Sequence, residues 1–255
     1  MCLVLFAYKS HKQYPLILVA NRDEFYNRPA LPVSYWHDHP TILGGRDLEK
    51  MGTWLGVTRT GRFAAITNYR DPSRLRKDAI SRGEIVSGFL SGTDSPKDYL
   101  NTIRGKREIY NGFNLILGNV SSCLYYSNIT NTIEEVKPGI HGLSNHLINT
   151  PWPKVVRGKE KLKLTIQDKD FSDKDQLFRI LNDSQQAEDE ELPYTGIGIE
   201  LERMMSPIFI QSPNYGTRSS TVLLINRQNH VSFMERSKIA DQDKWVENFF
   251  EFNIQ

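Results

Sequence analysis

Two apolar runs at the start of the chain constrain its fold more than any other feature. The first spans residues 2–8 and the second 16–20, and the polar segment between them contains Pro15. Runs of this length bounded by turn residues predict β-strands, and the short connection predicts a hairpin. A second hairpin is predicted from strands 53–58 and 63–68, because Gly61 can adopt the positive φ that a tight turn requires. The chain is therefore expected to begin with antiparallel sheet.

The remaining pattern places helices between strands. Apolar periodicity and turn residues predict further strands at 113–118, 123–127, 208–211, 221–226 and 231–235. Two helices are predicted to start near Ser81 and Ser95, and three more to span about 154–164, 174–181 and 197–204. Ser81 and Glu84 have the spacing of a capping box. Strands at both ends with helices between them predict an α+β fold of two stacked, mainly antiparallel sheets covered by helices. Because no repeat or linker divides the chain, residues 1–255 are expected to form one domain.

Charge and cysteine content narrow the classes of function. Lys and Arg number 32 against 30 Asp and Glu, a net charge of +2, so nucleic acid is not an expected partner. The densest basic stretch, 70–82, also contains two aspartates and is interpreted as a solvated loop. Two cysteines are too few for a disulfide framework or a thiolate zinc site, which favours a cytoplasmic location. No metal, cofactor or membrane span is expected, because the first apolar run is short and no complete binding motif is present.

Cys2 is the most informative residue because of its position. A small side chain after Met1 generally permits removal of the methionine, which leaves Cys2 with a thiol and a free α-amine. The amine has a pKa of about 7.7 to 8.0 and the thiol about 8.5, so the amine can accept the thiol proton near neutral pH. This arrangement would make Cys2 an N-terminal nucleophile. The alternative is that Cys2 is a small buried hydrophobe at the start of a strand.

Polar residues follow several predicted strands. The segment ANRDEFY ends the second strand, so the hairpin brings Arg22 and Asp23 towards Cys2. A guanidinium lowers the pKa of a nearby thiol, and a carboxylate can hold a protonated amine. Asn68 and Asn145 are candidate donors to an oxyanion, a contribution of roughly 3 to 4 kcal/mol in comparable sites. An exposed ion-paired turn and turn-capping asparagines are the alternative interpretations.

Eight segments in fixed order resemble those of one protein family. They are Cys2, NRDE at 21–24, GTWLG at 52–56, TNY at 67–69, YNGFNL at 110–115, GLSN at 142–145, TPW at 150–152 and YGTR at 215–218. The resemblance is to the NRDE family, also called the transport and Golgi organisation protein 2 family, and it extends over essentially the whole chain. That family is distantly similar to N-terminal nucleophile hydrolases, especially the penicillin V acylase and bile salt hydrolase branch. The resemblance therefore implies a four-layer αββα sandwich.

The same resemblance implies a set of catalytic residues. The branch uses an N-terminal Cys, an Arg and an Asp after the second strand, two Asn residues near the oxyanion and a late Arg. The matching positions in this sequence are Cys2, Arg22, Asp23, Asn68, Asn145 and Arg218. In the branch the Arg and Asp are usually separated by two residues, whereas here they are adjacent. Asn21 and Glu24 have that separation and are the alternative occupants of the two positions.

Two functions follow from these expectations. The first is an N-terminal cysteine amidohydrolase that acts on linear, non-peptide C–N amide bonds of small molecules. The second is a non-catalytic protein that binds or transports haem or a lipid on the same fold, as family membership implies. The sequence contains no haem attachment motif and no paired axial ligands. Substrate and oligomeric state are not specified by the sequence.

Overall fold

The computed structural model describes residues 2–167, 174–239 and 244–255. These residues form thirteen strands and five α-helices. The strands are β1 (Cys2–Tyr8), β2 (Leu16–Phe25), β3 (Ala30–Tyr35), β4 (Ile42–Asp47), β5 (Leu55–Thr58), β6 (Phe63–Asn68), β7 (Phe113–Gly118), β8 (Cys123–Ser127), β9 (Thr132–Glu135), β10 (Gly139–Leu143), β11 (Tyr215–Ile225), β12 (His230–Lys238) and β13 (Trp245–Asn253). The helices are α1 (Gly83–Ser91), α2 (Pro96–Gly105), α3 (Pro153–Gln167), α4 (Asp175–Leu181) and α5 (Ile199–Met204).

The strands form two sheets. The six-stranded sheet has the order β10-β1-β2-β11-β12-β13, and the seven-stranded sheet has the order β3-β4-β5-β6-β7-β8-β9. Every pairing between these strands is antiparallel. The predicted fold class, two stacked antiparallel sheets in an α+β sandwich, is therefore confirmed.

Alternation along β1 shows how the layers are held together. Val4 and Phe6 point into the apolar core between the two sheets, whereas Leu3 and Leu5 pack in a second core with α3 and α4. A strand covered on both faces must be apolar at every position, which explains its continuous apolar run. A third core packs α1 and α2 against the outer face of the seven-stranded sheet. The order of layers is thus helix, sheet, sheet, helix.

The predicted hairpins are confirmed, and their turns have the expected geometry. β1 pairs with β2 and β5 with β6, as predicted. The structure also pairs β7 with β8 and β11 with β12. Gly61 has φ +76° in the β5–β6 turn, and Asn229 has φ +59° in the β11–β12 turn. β2 and β11 extend beyond their predicted ends into the polar segments at 21–25 and 215–220. Those polar extensions pair with each other and carry three of the six candidate residues, namely Arg22, Asp23 and Arg218.

Some elements differ from the prediction. Five strands were not predicted: β3, β4, β9, β10 and β13. Conversely, the strand predicted at 208–211 does not form. Pro207 and Pro213 flank this segment, and the backbone N–H of Ile210 donates to the Thr217 side chain at 2.9 Å. At α1 the predicted capping box is absent, since Arg82 is the N-terminal flanking residue and no side chain caps the helix. Ser95 does cap α2, accepting a hydrogen bond from the Asp98 backbone. Among the described residues, no helix is long and apolar enough to span a membrane.

Candidate active site

Cys2 lies at the first position of β1, directly opposite Arg22 on β2. Only 8% of the residue is exposed, and it contributes to the wall of a cavity of about 270 Å³ between the sheets. On the other side of β2, Asp23 pairs with Thr217 and Arg22 with Ser219, so Arg218 is an extra residue in a β-bulge. The bulge brings Arg218 to the same cavity wall as Cys2.

The cavity is built from several elements that meet at one end of the sandwich. Its walls include residues of β1, β2, β3, β4, β6, β11 and β12, the segment before β5 and the loop before α1. Its polar lining within the described residues is Cys2, Arg22, Asp23, Glu24, Arg28, Arg46, Asp47, Lys50, Thr53, Asn68, Ser81, Arg82, Asn111, Arg218, Ser219, Glu235, Ser237 and Lys238.

Two glycines in the family motifs permit close packing around the cavity. A Cβ at Gly52 would lie 2.6 Å from the backbone carbon of Gly83, so only glycine allows the GTWLG segment to reach the start of α1. A Cβ at Gly216 would lie 2.5 Å from the carbonyl oxygen of Ile210. Close backbone packing therefore restricts both positions to glycine. This packing is enough to explain the glycines of the GTWLG and YGTR motifs, and no chemical role is needed.

Arg22 and Asp23 point to opposite faces of β2 because side chains alternate along a strand. Arg22 faces the region between the sheets, where its guanidinium lies 3.5 Å from Asp47. Asp23 is 1% exposed and accepts a hydrogen bond of 2.8 Å from the Thr217 hydroxyl. Burial raises the pKa of the Asp23 carboxyl, and the nearby Lys154 ammonium opposes that rise. Asp23 is thus a buried carboxyl whose charged form is supported by a cation.

The alternative pair, Asn21 and Glu24, occupies different environments. Asn21 is fully buried, and its amide donates to the carbonyl oxygens of Leu181 and Ile208, both at 2.8 Å. The Ser220 hydroxyl donates to the Asn21 side-chain oxygen at 2.7 Å. These three bonds tie β2 to the end of α4 and to the segment before β11, which gives Asn21 a structural role. Glu24 lines the cavity but is only one of its rim carboxyls.

The two candidate oxyanion donors are placed differently. Asn68 lies at the end of β6 in the cavity wall, and among the described residues its side-chain amide has no hydrogen-bond partner. Asn145 is fully buried and donates from its amide to the Asn68 carbonyl at 2.9 Å. Asn145 is absent from the described cavity lining. The geometry favours Asn68 as the direct donor and Asn145 as the residue that positions it.

A set of bonds joins the two sheets behind these asparagines. Thr67 donates to the Ser144 carbonyl at 2.6 Å, and Ser144 donates to the Cys2 carbonyl at 3.3 Å. The backbone N–H of Arg70 donates to the Asn145 carbonyl at 2.7 Å. The end of β6 is therefore fixed relative to the start of β1, so these bonds hold Asn68 at a fixed position relative to Cys2.

Sequence reasoning missed three charged residues at this end of the molecule. Lys154 on α3 is 2% exposed and donates to the Met205 carbonyl at 2.9 Å. Burial lowers the pKa of the Lys154 ammonium to about 8, and the negative charge of Asp23 acts against this decrease. Arg70 is buried against Glu202, with a 2.5 Å contact. Arg82 lines the cavity and donates to the Gly112 carbonyl at 3.0 Å. The interpretation of 70–82 as a solvated loop is therefore wrong at both of its ends.

The two cysteines have different surroundings. Burial raises the pKa of the Cys2 thiol and Asp23 adds to the rise, while Arg22 and a hydrogen bond from the Asp23 backbone lower it. Cys123 is buried in the core between the sheets, and burial raises the pKa of its thiol with only Lys9 acting against it. Cys2 is the cysteine that combines a cavity with nearby charges. Within the described residues, no three His, Cys, Asp or Glu side chains are grouped as metal ligands.

A family model described as Transport and Golgi organisation 2 matches residues 1–239. The chain belongs to this family. It is 36% identical to the Transport and Golgi organization 2 homolog of Mus musculus over 276 positions, with 100% of both chains covered. The resemblance inferred from the motifs is thereby confirmed, and the positions discussed above lie within the matched part of the Transport and Golgi organisation 2 family.

Solved structures of other proteins share the fold. The Caenorhabditis elegans N-acylethanolamine-hydrolyzing acid amidase ortholog has a TM-score of 0.54 at 10% identity, with 88% of this chain and 92% of that chain covered. A variant of the conjugated bile acid hydrolase from Clostridium perfringens, whose second-position cysteine is replaced by alanine, has a TM-score of 0.53 at 9% identity, with 99% and 97% covered. This Transport and Golgi organisation 2 family member therefore has an N-terminal nucleophile hydrolase-like fold.

Proposed function

We propose that this protein is an N-terminal cysteine amidohydrolase that acts on linear, non-peptide C–N amide bonds of small molecules in the cytoplasm. The observation that carries the proposal is the convergence of Cys2, Arg22, Asp23 and Asn68 at one end of a cavity. The names of the two structural neighbours, an amidase and a conjugated bile acid hydrolase, support the reaction class.

The first step requires removal of Met1 and activation of the thiol. Because β1 and β2 are antiparallel and Cys2 lies opposite Arg22, the backbone nitrogen of Cys2 is directed towards the Asp23 side of this pair. The Asp23 carboxylate would hold the freed α-amine, and that amine accepts the proton from the Cys2 thiol. A separate base is then unnecessary. Because burial raises the pKa of the Cys2 thiol, a proton acceptor this close is needed at neutral pH.

Acyl transfer follows from the same geometry. The Cys2 sulfur forms a bond to the amide carbon, and the carbonyl oxygen gains the negative charge, which the Asn68 amide stabilises by donating a hydrogen bond. The C–N bond then breaks, and the leaving amine takes the proton from the Cys2 α-amine. Water hydrolyses the resulting thioester, restoring the thiol and releasing the acid. Arg218 in the bulge lines the same cavity and would contact the substrate there.

A first test measures whether Cys2 is a competent nucleophile. Protein purified from its native host is analysed by intact and peptide mass spectrometry before and after p-nitrophenyl octanoate, an activated acyl donor. We expect Met1 to be absent and one octanoyl group to be added at Cys2, with none at Cys123. Cys123→Ala should retain the adduct and Cys2→Ala should lose it. Retained Met1, or equal labelling of both thiols, would contradict the proposed mechanism.

The second candidate is a protein that binds or transports haem or a lipid without hydrolysis. The names of the family and of its curated relatives favour it, since they refer to transport and Golgi organisation and to no reaction. His146 is not among the described lining residues, and its two ring nitrogens lie 2.8 Å from Tyr69 and 2.9 Å from Thr150. Cys2 is therefore the soft ligand available at the cavity. Haem absorbance in the Soret region that is lost in Cys2→Ala would favour this function.

A further inference from the structure

The cavity at Cys2 has an excess of positive charge. Counted over the described residues, seven cationic side chains and four carboxyl groups contribute to its lining. The cations are Arg22, Arg28, Arg46, Lys50, Arg82, Arg218 and Lys238, and the carboxyl groups are Asp23, Glu24, Asp47 and Glu235. The chain as a whole carries a net charge of only +2, so the excess is a local feature of this cavity. A cleft lined by one sign of charge attracts ligands of the opposite sign.

The carboxyl groups of the cavity lining have partners within the protein. Arg28 contacts Asp47 at 2.6 Å, and the same carboxylate lies 3.5 Å from Arg22. Glu235 is 3% exposed and accepts hydrogen bonds from the Val33 backbone and from two hydroxyl groups. Arg46 pairs with Asp38 outside the lining. These carboxylates are therefore occupied by groups other than Arg82.

Arg82 is a lining cation that does not pair with these carboxylates. It is half-buried and donates from one terminal nitrogen to the Gly112 carbonyl. Among the described residues, no carboxylate oxygen lies within 4.0 Å of its guanidinium. A guanidinium has five N–H donors in a fixed fork, so donors remain for a second, bidentate partner. A cation withdrawn from water without a counter-charge gains most from an anionic ligand.

The surroundings of Arg82 support an anion at this position. Gly83, the first residue of the nine-residue helix α1, also lines the cavity, and the amino end of a helix favours negative charge. Among the described residues, the Asn68 amide in the same wall has no hydrogen-bond partner. Arg82 and Cys2 line the same cavity. Burial lowers the pKa of the Arg82 guanidinium, and the charges of Cys2 and Glu24 oppose this.

We propose that the ligand of this cavity carries a carboxylate, sulfonate or phosphate group that pairs with Arg82 while its acyl carbon lies at Cys2. Its substrate is then an amide with an anionic end, such as an N-acyl amino acid, in preference to a neutral amide of the same length. The substrate assignment rests on the proposed function, whereas the binding of the anion does not. Arg82 is a specificity-determining residue in this arrangement.

Protection of Cys2 from alkylation tests the binding. The intact protein is treated with iodoacetamide in the presence of N-decanoylglycine or N-decanoylethanolamine, which share an acyl chain and differ in charge. Alkylation of Cys2 is followed by peptide mass spectrometry. We expect the glycine conjugate to protect Cys2 at concentrations roughly 10-fold or more below those that the neutral amide requires, as loss of one charged hydrogen-bond pair predicts.

Variants assign the effect to Arg82. Arg82→Gln keeps a donor for Gly112 and should abolish the preference for the anion, while Arg82→Lys should retain part of it. Arg76→Gln is the matched control, because Arg76 precedes the same helix but pairs with Asp78 outside the cavity lining. Protection is compared with and without ligand within each variant, so a change in intrinsic thiol reactivity or folding does not produce the result. Equal protection by both amides, or an unchanged preference in Arg82→Gln, overturns the proposal.

Release of glycine or ethanolamine from the same two amides, measured on the intact protein without iodoacetamide, separates this proposal from the proposed function. Protection without glycine release supports the anion site and argues against the hydrolase. Equal hydrolysis of both amides supports the hydrolase and overturns the anion site.

Discussion

The two faces of β2 near Cys2 satisfy their polar side chains in different ways. On the cavity face, Arg22 interacts with Asp47 across the gap between the sheets, whereas Glu24 interacts with Arg28 four residues along the chain and remains 25% exposed. On the helix face, Asn21 and Asp23 are 0% and 1% exposed and are bonded to backbone carbonyls and to Thr217. A buried polar group costs free energy unless it is bonded, whereas an exposed one can use water.

The difference shows how one four-residue motif can serve two purposes. Alternation along a strand sends the side chains of residues 21 and 23 towards the helices and those of residues 22 and 24 towards the gap between the sheets. Asp23, at the end of the strand, also reaches the cavity lining. Changes on the helix face should therefore alter the free energy of unfolding and the pKa of buried groups. Changes on the cavity face should alter binding and reactivity at Cys2 with little effect on stability.

Replacement of Asn21 should have the largest effect on stability. Asn21→Leu removes two donors and one acceptor, leaving the carbonyls of Leu181 and Ile208 and the Ser220 hydroxyl without this partner. We expect the free energy of unfolding to fall by about 3 kcal/mol, measured by urea denaturation. Glu24→Gln, on the cavity face of the same strand, is the control and should change it by less than about 0.5 kcal/mol. Equal effects would show that the two faces do not differ.

The fold was largely predictable because its central strands are strongly patterned. β1, β5, β6, β7 and β8 are short apolar runs bounded by turn residues, and they were found within a few residues. The edge strand β9 has one apolar residue in TIEE, and β4 contains two adjacent glycines. Such strands take their conformation from pairing with a neighbour, so local propensity does not reveal them.

The candidate site was predictable only where residues belong to motifs. Cys2, Arg22, Asp23, Asn68 and Arg218 all reach the cavity, because strand pairing brings their segments together. Lys154 and Arg82 were missed because a lysine on a helix and an arginine in a basic loop usually remain solvated. Their burial depends on how α3 and the loop before α1 pack on the sheets, which no local pattern records.

Lys154 offers a pH-dependent test of the helix face. Its pKa of about 8 in the folded protein is below the value near 10.4 expected in the unfolded chain, so the unfolded state binds more protons between these values. The stability that Lys154 contributes therefore rises as pH increases through this window. Relative to Lys154→Met, the wild-type free energy of unfolding should increase by about 1 kcal/mol from pH 8 to pH 9.

The exposed Lys163 lies on the same helix and provides the control for this comparison. Lys163→Met should not change the pH dependence, since its ammonium is hydrated in both states. A constant difference between wild type and Lys154→Met across pH 7 to 10 would mean that the Lys154 ammonium is not held in a desolvated site.

The smallest expected stability effect separates the two asparagines that connect the faces. Asn145→Ala removes a partly buried bond to the Asn68 carbonyl and should lower the free energy of unfolding by about 1 kcal/mol. Asn68→Ala removes a side chain that has no partner among the described residues, so stability should be nearly unchanged. The rate of Cys2 acylation by p-nitrophenyl octanoate should respond in the opposite order, falling about 100-fold in Asn68→Ala because the oxyanion loses its donor. The opposite result would be that Asn145→Ala slows acylation more than Asn68→Ala while the stability of Asn145→Ala is unchanged. In that case Asn145 rather than Asn68 contacts the oxyanion, and the cavity extends further behind β6.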